Sequence, residues 1–131
     1  MVVESIITAI VIDDDLDTVE LFCEHLELKG IRVIGKGYDG KEAVELYQKM
    51  RPDIVFLDIM MPHYNGFYAA EEIQKVEPNA KIIMVTADLT SDTADKLKEL
   101  KFPVIYKPYE FDDIMATIRK LLQYVNDVEP F

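Results

Sequence analysis

At 131 residues the chain is long enough for one domain with a real hydrophobic core. Half of its residues are apolar, yet no stretch approaches the ~20 consecutive apolar residues of a membrane span, so no membrane insertion is expected. Fourteen basic against 25 acidic residues leave a net charge of −11, which argues against direct nucleic-acid binding but admits a protein partner with a basic patch.

The amino terminus, MVVESIITAIVIDDD, has no basic segment ahead of its apolar run. It therefore does not read as a signal peptide, and a cytoplasmic protein is the default expectation. The run IITAIVI (6–12) predicts the first strand and stops at four carboxylates, Asp13, Asp14, Asp15 and Asp17. Two such charges about 4 Å apart repel by roughly 4 kcal/mol at an effective dielectric near 20. Something positive is needed there. Leu16, Val19, Cys23 and Leu26 follow at helical spacing up to Gly30, with Asp15 and Asp17 expected to open that helix. Cys23 is the only cysteine, which excludes an internal disulfide or a cysteine-based zinc site and reads as a core thiol. His25, between Glu24 and Leu26, is expected to be exposed.

IRVIG (31–35) predicts a second strand, placed at a sheet edge by its Arg32. After the Asp39-Gly40 turn, Ala43, Leu46, Tyr47 and Met50 mark a second helix that ends before Pro52. DIVFLD (53–58) is the third strand. A third helix runs from Phe67 to about Val76, between Asn65-Gly66 and Pro78. KIIMVT (81–86) is the fourth strand, and a more polar helix follows from about Asp92 to Leu100. PVIYK (103–107) is the fifth strand. Phe111, Ile114, Met115, Ile118, Leu121, Leu122 and Val125 give the last helix a clean apolar stripe. The tail, 126–131, is expected to be loosely held.

Most strand runs are apolar on both parities, as in a parallel sheet covered on both faces. Five β–α repeats therefore predict one α/β domain, a doubly wound sheet spanning about residues 5–125. In such sheets ligands gather beyond the carboxyl ends of the strands. Asp13 and Asp14 close the first strand, Asp58 the third, Thr86 the fourth and Lys107 the fifth. Hard oxygen ligands of this kind suit a divalent cation, magnesium foremost. Lys107 and Thr86 imply a second, anionic species, and a phosphoryl group fits because ammonium, hydroxyl and metal can share its oxygens. Asp58, placed centrally, is the candidate attacking carboxylate.

VIDDD, VFLDIMMPHYNG, IIMVTA and YKP, in that order, resemble the receiver domain of two-component response regulators. The most specific part is the third-strand acid followed by Pro62 four residues on and Gly66 eight on. The resemblance implies a flavodoxin-like (βα)5 fold with strand order 2-1-3-4-5. It makes Asp58 the phosphoacceptor, Asp14 a direct Mg2+ ligand (Mn2+ being an alternative ion), and Asp13 a contact made mostly through water. The backbone carbonyl of Met60 would complete the protein ligands. Lys107 would pair with a phosphoryl oxygen and Thr86 would hydrogen-bond another. The implied donors are a sensor histidine kinase, a histidine phosphotransfer protein or a small acyl phosphate. The implied output is a protein target on the face of the fourth helix, fifth strand and fifth helix. Such a protein catalyses only its own phosphorylation and dephosphorylation.

Two departures from the pattern stand out. Three residues before Lys107 the family usually has an aromatic, and here it is Val104, with Phe102 and Tyr106 nearby. The output is therefore expected to be weaker, or relayed by backbone shifts of Ala87 and Asp88 in place of an aromatic swing. The two hydrolysis-tuning positions are Met60 and Asp88. A thioether is a poor partner for an attacking water, so Met60 is expected to shield the phosphoryl group. His63 borders the same loop. A rival reading is a phosphohydrolase resembling the haloacid-dehalogenase type, with Asp13 and Asp15 as a D-x-D pair, Thr86, Lys107 and the Asp112-Asp113 pair. It leaves Asp58, Pro62 and Gly66 without a role. A chain that begins with methionine and runs past the fifth helix favours a free-standing protein.

Overall fold

The computed structural model describes residues 6–126, with side chains described through 122. Strands and helices alternate as β1 (Thr8–Ile12), α1 (Leu16–Leu28), β2 (Arg32–Gly37), α2 (Gly40–Met50), β3 (Ile54–Asp58), α3 (Gly66–Val76), β4 (Ile82–Thr86), α4 (Ser91–Leu100), β5 (Val104–Tyr106) and α5 (Phe111–Asn126). The strands form one parallel sheet in the order β2-β1-β3-β4-β5. That is the flavodoxin-like order, and its topological switch lies between β1 and β3.

Strand parity splits the core into two layers. Ile10, Ile12, Val55, Leu57, Ile82 and Met84 point to the face covered by α2, α3 and α4. Ala9, Val11, Ile54, Phe56 and Ile83 point to the face covered by α1 and α5. Burial on both faces is why these strands read as unbroken apolar runs. The helix starts are set by short polar side chains. Asp15, Asn65 and Thr90 each accept backbone N–H groups from the first turn of α1, α3 and α4. Asp39 does the same for α2.

β2 is an edge strand, as Arg32 implies, and Glu27 covers its open side by accepting the Val33 N–H at 2.8 Å. Three expectations change. Leu16 shares the helical spacing of the core residues yet is 61 % exposed, because the first turn of α1 begins where β1 has already ended. Met50 is likewise exposed at the end of α2. His25 is half-buried and packs on Phe111 with ring centroids 5.0 Å apart. Asn126 is the last residue of α5, while the Val125 side chain and the rest of the expected tail lie outside the described residues. No helix among the described residues is long and apolar enough to cross a membrane.

Candidate functional site

β1 and β3 lie side by side with Ile12 opposite Leu57, so the residues that follow, Asp13 and Asp58, emerge together at the carboxyl edge. Asp13, Asp14 and Asp58 each turn one carboxylate oxygen to a common point, these oxygens lying within 4.8 Å of one another. Asp13 and Asp58 are buried and Asp14 is exposed. Lys107 reaches in from the end of β5, its Nζ 2.9 Å from Asp13 Oδ2 and 3.6 Å from Asp58 Oδ2. A bond from the Lys107 N–H to the Thr86 carbonyl, 2.8 Å long, ties the ends of β4 and β5 together and sets the root of that side chain.

Three carboxylates face one ammonium, and the protonation behaviour reflects the excess. The Asp58 carboxyl is pushed up to about 6, first by burial and then by the Asp13 charge, against the pull of Lys107 and the Met60 N–H. Burial, followed by a hydrogen bond to Asp13 and that residue's charge, also holds Asp14 above the ordinary carboxylate range. For Lys107, burial disfavours the charge but is outweighed by its hydrogen bond to Asp13 and by the Asp58 and Asp13 charges. The ammonium is therefore held above its usual range.

The donor set is all oxygen, which suits Mg2+ or Mn2+. Asp13, Asp14 and Asp58 supply the carboxylates, and the Met60 carbonyl accepts no backbone hydrogen bond among the described residues, which leaves it free to coordinate. Beneath the carboxylates, Val11, Phe22, Phe56 and Tyr109 wall a cavity of about 20 Å³, room for a single water. Tyr109 was not legible as a site residue. Its position two beyond Lys107, just after the proline, is the only sequence signal for it.

Thr86 is fully buried at the end of β4, one residue beyond Val85, the β4 partner of Asp58. Its hydroxyl oxygen accepts the Asp88 N–H at 2.9 Å. The Asp88 carboxylate in turn accepts the Thr93 hydroxyl at 2.6 Å and the Thr90 N–H at 2.9 Å. Those bonds, the Thr93 one foremost, draw the Asp88 pKa below the usual carboxylate range. Asp88 is thus engaged in joining the β4–α4 loop to α4. Ala87 is exposed. Val104 of β5 and Phe102 just ahead of it pack against the core layer that includes Leu97, whereas Tyr106 is 45 % exposed. Met60 is 58 % exposed. His63 is exposed in the same loop, with a left-handed backbone at φ 68°. Asp15, which the phosphohydrolase reading needs beside Asp13, spends its carboxylate on the N–H groups of Asp17 and Thr18. Asp112 and Asp113 lie in the first turn of α5, away from any strand end.

Residues 9–119 match the model of the response regulator receiver domain. The chemotaxis protein CheY of Thermotoga maritima is 34 % identical over 114 residues, covering 86 % of this chain and 95 % of that protein. CheY of Bacillus subtilis is 32 % identical over 115 residues, covering 86 % and 96 %. A chain from the CheX-CheY-BeF3-Mg2+ complex of Borrelia burgdorferi superposes with a TM-score of 0.82 at 25 % identity, covering 88 % of this chain and 89 % of that one.

Proposed function

Because the chain belongs to the response regulator receiver domain family, we propose that it is the phosphoacceptor of a two-component signalling system, with Asp58 as the acceptor. The observation that carries this reading is the meeting of Asp13, Asp14 and Asp58 oxygens within 4.8 Å beside the Lys107 ammonium. An Asp58 carboxylate oxygen attacks phosphorus on a phosphohistidine. The P–N bond breaks, and the departing imidazole nitrogen takes up a proton. The donor is a sensor histidine kinase or a histidine phosphotransfer protein, and a small acyl phosphate can replace it. Asp13, Asp14, Asp58 and the Met60 carbonyl would hold Mg2+, which when bound supplies positive charge for the phosphoryl oxygens. Lys107 is placed to take one of those oxygens by releasing Asp13. Hydrolysis later returns the carboxylate and inorganic phosphate. The chain acts on no other substrate.

The output follows from the bonds around Thr86. An aspartyl phosphate adds about −1.5 to −2 charge next to that residue's strand end. A Thr86 hydroxyl that turns to donate to the new anion pulls on Asp88, and Asp88 is tied to Thr90 and Thr93 at the start of α4. With Val104 where an aromatic usually sits, the backbone of Ala87 and Asp88 carries the shift. A protein target then reads the face of α4, β5 and α5. The cytoplasm, where histidine kinases present their phosphohistidine, is the compartment this chemistry requires.

Intact-mass measurement after treatment with acetyl phosphate and Mg2+ tests the reading on the parent and on Asp58→Asn. The parent gains one phosphate and the variant none. A parent that stays unmodified, or a variant that is still phosphorylated, rejects it.

A further inference from the structure

α2 and α3 both begin with a glycine that touches the loop carrying Met60. The first N–H groups of a helix have no partner inside the helix. Gly66 donates its N–H to the Ile59 carbonyl at 2.9 Å, and Gly40 donates its own to the Tyr64 carbonyl at 2.7 Å. A Cβ at Gly66 would run into the Asp58 carbonyl oxygen and come within 2.8 Å of Ile59 Cα. A Cβ at Gly40 would lie 2.6 Å from the Asn65 carbonyl oxygen and 2.7 Å from that of Tyr64. Both sets of neighbours are backbone, which no side-chain rotation can move aside. The segment between Asp58 and Gly66 is therefore pinned at two points, one at each end, and Gly40 reaches it from a different β–α unit.

We infer that Gly40 is a positioning residue for the cation site, holding the β3–α3 loop in the place from which the Met60 carbonyl would reach the cation. The inference rests on the proposed cation at Asp13, Asp14 and Asp58. Which side would yield to an added methyl decides the outcome. α2 is fixed by the buried Ala43 and Tyr47 and by the Asp39 cap, which accepts the Glu42 N–H at 2.8 Å. Ala43 is fully buried in the same layer as Ala69 and Ala70 of α3, small side chains that let the helices lie close. Tyr64 and Asn65 are exposed. The loop gives way, and the movement needed to take the 2.6 Å approach to an ordinary contact of ~3.5 Å is about 0.9 Å. Mg2+ demands near-ideal octahedral geometry at about 2.0–2.1 Å and tolerates errors of only ~0.2 Å. The binding site registers a displacement of that size.

Titration calorimetry with Mg2+ on the full chain tests this, alongside urea unfolding in EDTA. Gly40→Ala weakens Mg2+ binding about tenfold or more, as loss of an outer support does. Gly35→Ala is the control, since its Cβ would meet the Ile10 and Leu46 side chains at 3.1 and 3.2 Å and no part of the loop. It changes Mg2+ affinity less than about twofold whatever it does to stability. Mg2+ affinity in Gly40→Ala equal to that of the parent overturns the inference, even if the variant is less stable. Should Gly40→Ala not fold, amide exchange of Gly40 in the parent decides, because Mg2+ slows it if the clamp and the ion are coupled. An exchange rate unmoved by saturating Mg2+ overturns the inference while leaving the cation reading intact. A parent that binds no Mg2+ removes both.

Discussion

Asp58 is held in a costly state. Its pKa of about 6 in the folded chain lies above the ordinary 3.8, so the native state holds that proton more tightly than the unfolded chain does. Ionising it therefore subtracts stability as pH rises from about 4 through 6, and the full loss is present at neutral pH. Two pH units correspond to roughly 3 kcal/mol as an upper figure. In EDTA at pH 7, Asp58→Asn should raise the thermal midpoint by about 5 °C or more, and the gain should nearly vanish at pH 4, where the parent is protonated as well. Scanning calorimetry at both pH values checks this, and a parent more stable than the variant at pH 7 refutes it. Met60, two residues beyond Asp58, has an exposed side chain. If its thioether shields the aspartyl phosphate, Met60→Asn loses phosphate faster, by about threefold or more, since an amide can bond the attacking water. Decay of the phosphorylated mass measures that rate.

Helix α4 is tied by hydrogen bonds to the loop that follows β4. Within it only Thr93 and Leu97 are buried, so few apolar contacts hold it down, and the Thr93 bonds to Thr90 and Asp88 add to them. The Asp88–Thr93 bond is the one that joins α4 to the residue next to Ala87. Thr93→Val keeps the shape and removes the donor. In the unphosphorylated chain it should speed amide exchange in the first two turns of α4 by about threefold or more while leaving α2 and α3 unchanged. Exchange unaltered in α4 would show that the bond does not restrain it. The sequence reveals α4 as a polar helix of the right length, but not this tether. Thr93 and Asp88 are close enough in the chain to bond, yet nothing in their spacing says which way the Asp88 carboxylate turns. Strand parity has a similar limit on β5. It assigns Val104 and Tyr106 to one side of the sheet but cannot tell that α4 covers the first and leaves the second in solvent.

At the scale of the whole molecule, the sheet and the acid cluster were readable for the same reason. Strands buried on both faces must be apolar throughout, so a polar residue that ends such a run marks the sheet's carboxyl edge. Asp13, Asp58, Thr86 and Lys107 all do so. What stayed hidden depends on contacts between distant segments, such as Gly40 with Tyr64, or on depth at the end of an element, as for Leu16 and His25. The acid cluster also sits in a chain of net charge −11, and the two effects on stability can be separated. General repulsion among surface carboxylates is screened within about 10 Å at 0.1 M salt and responds to any salt in a graded way. A cation held by Asp13, Asp14 and Asp58 stabilises only the folded chain, by about 2.7 kcal/mol at a hundredfold excess over its dissociation constant. At constant ionic strength set with KCl, Mg2+ should therefore raise the thermal midpoint along a saturable curve. Asp14→Asn should flatten that curve while leaving the KCl response as it was, because one charge in so acidic a chain hardly alters the screened repulsion. Equal responses to Mg2+ in parent and variant would mean that the ion acts on the surface at large, and the three carboxylates would then need another explanation.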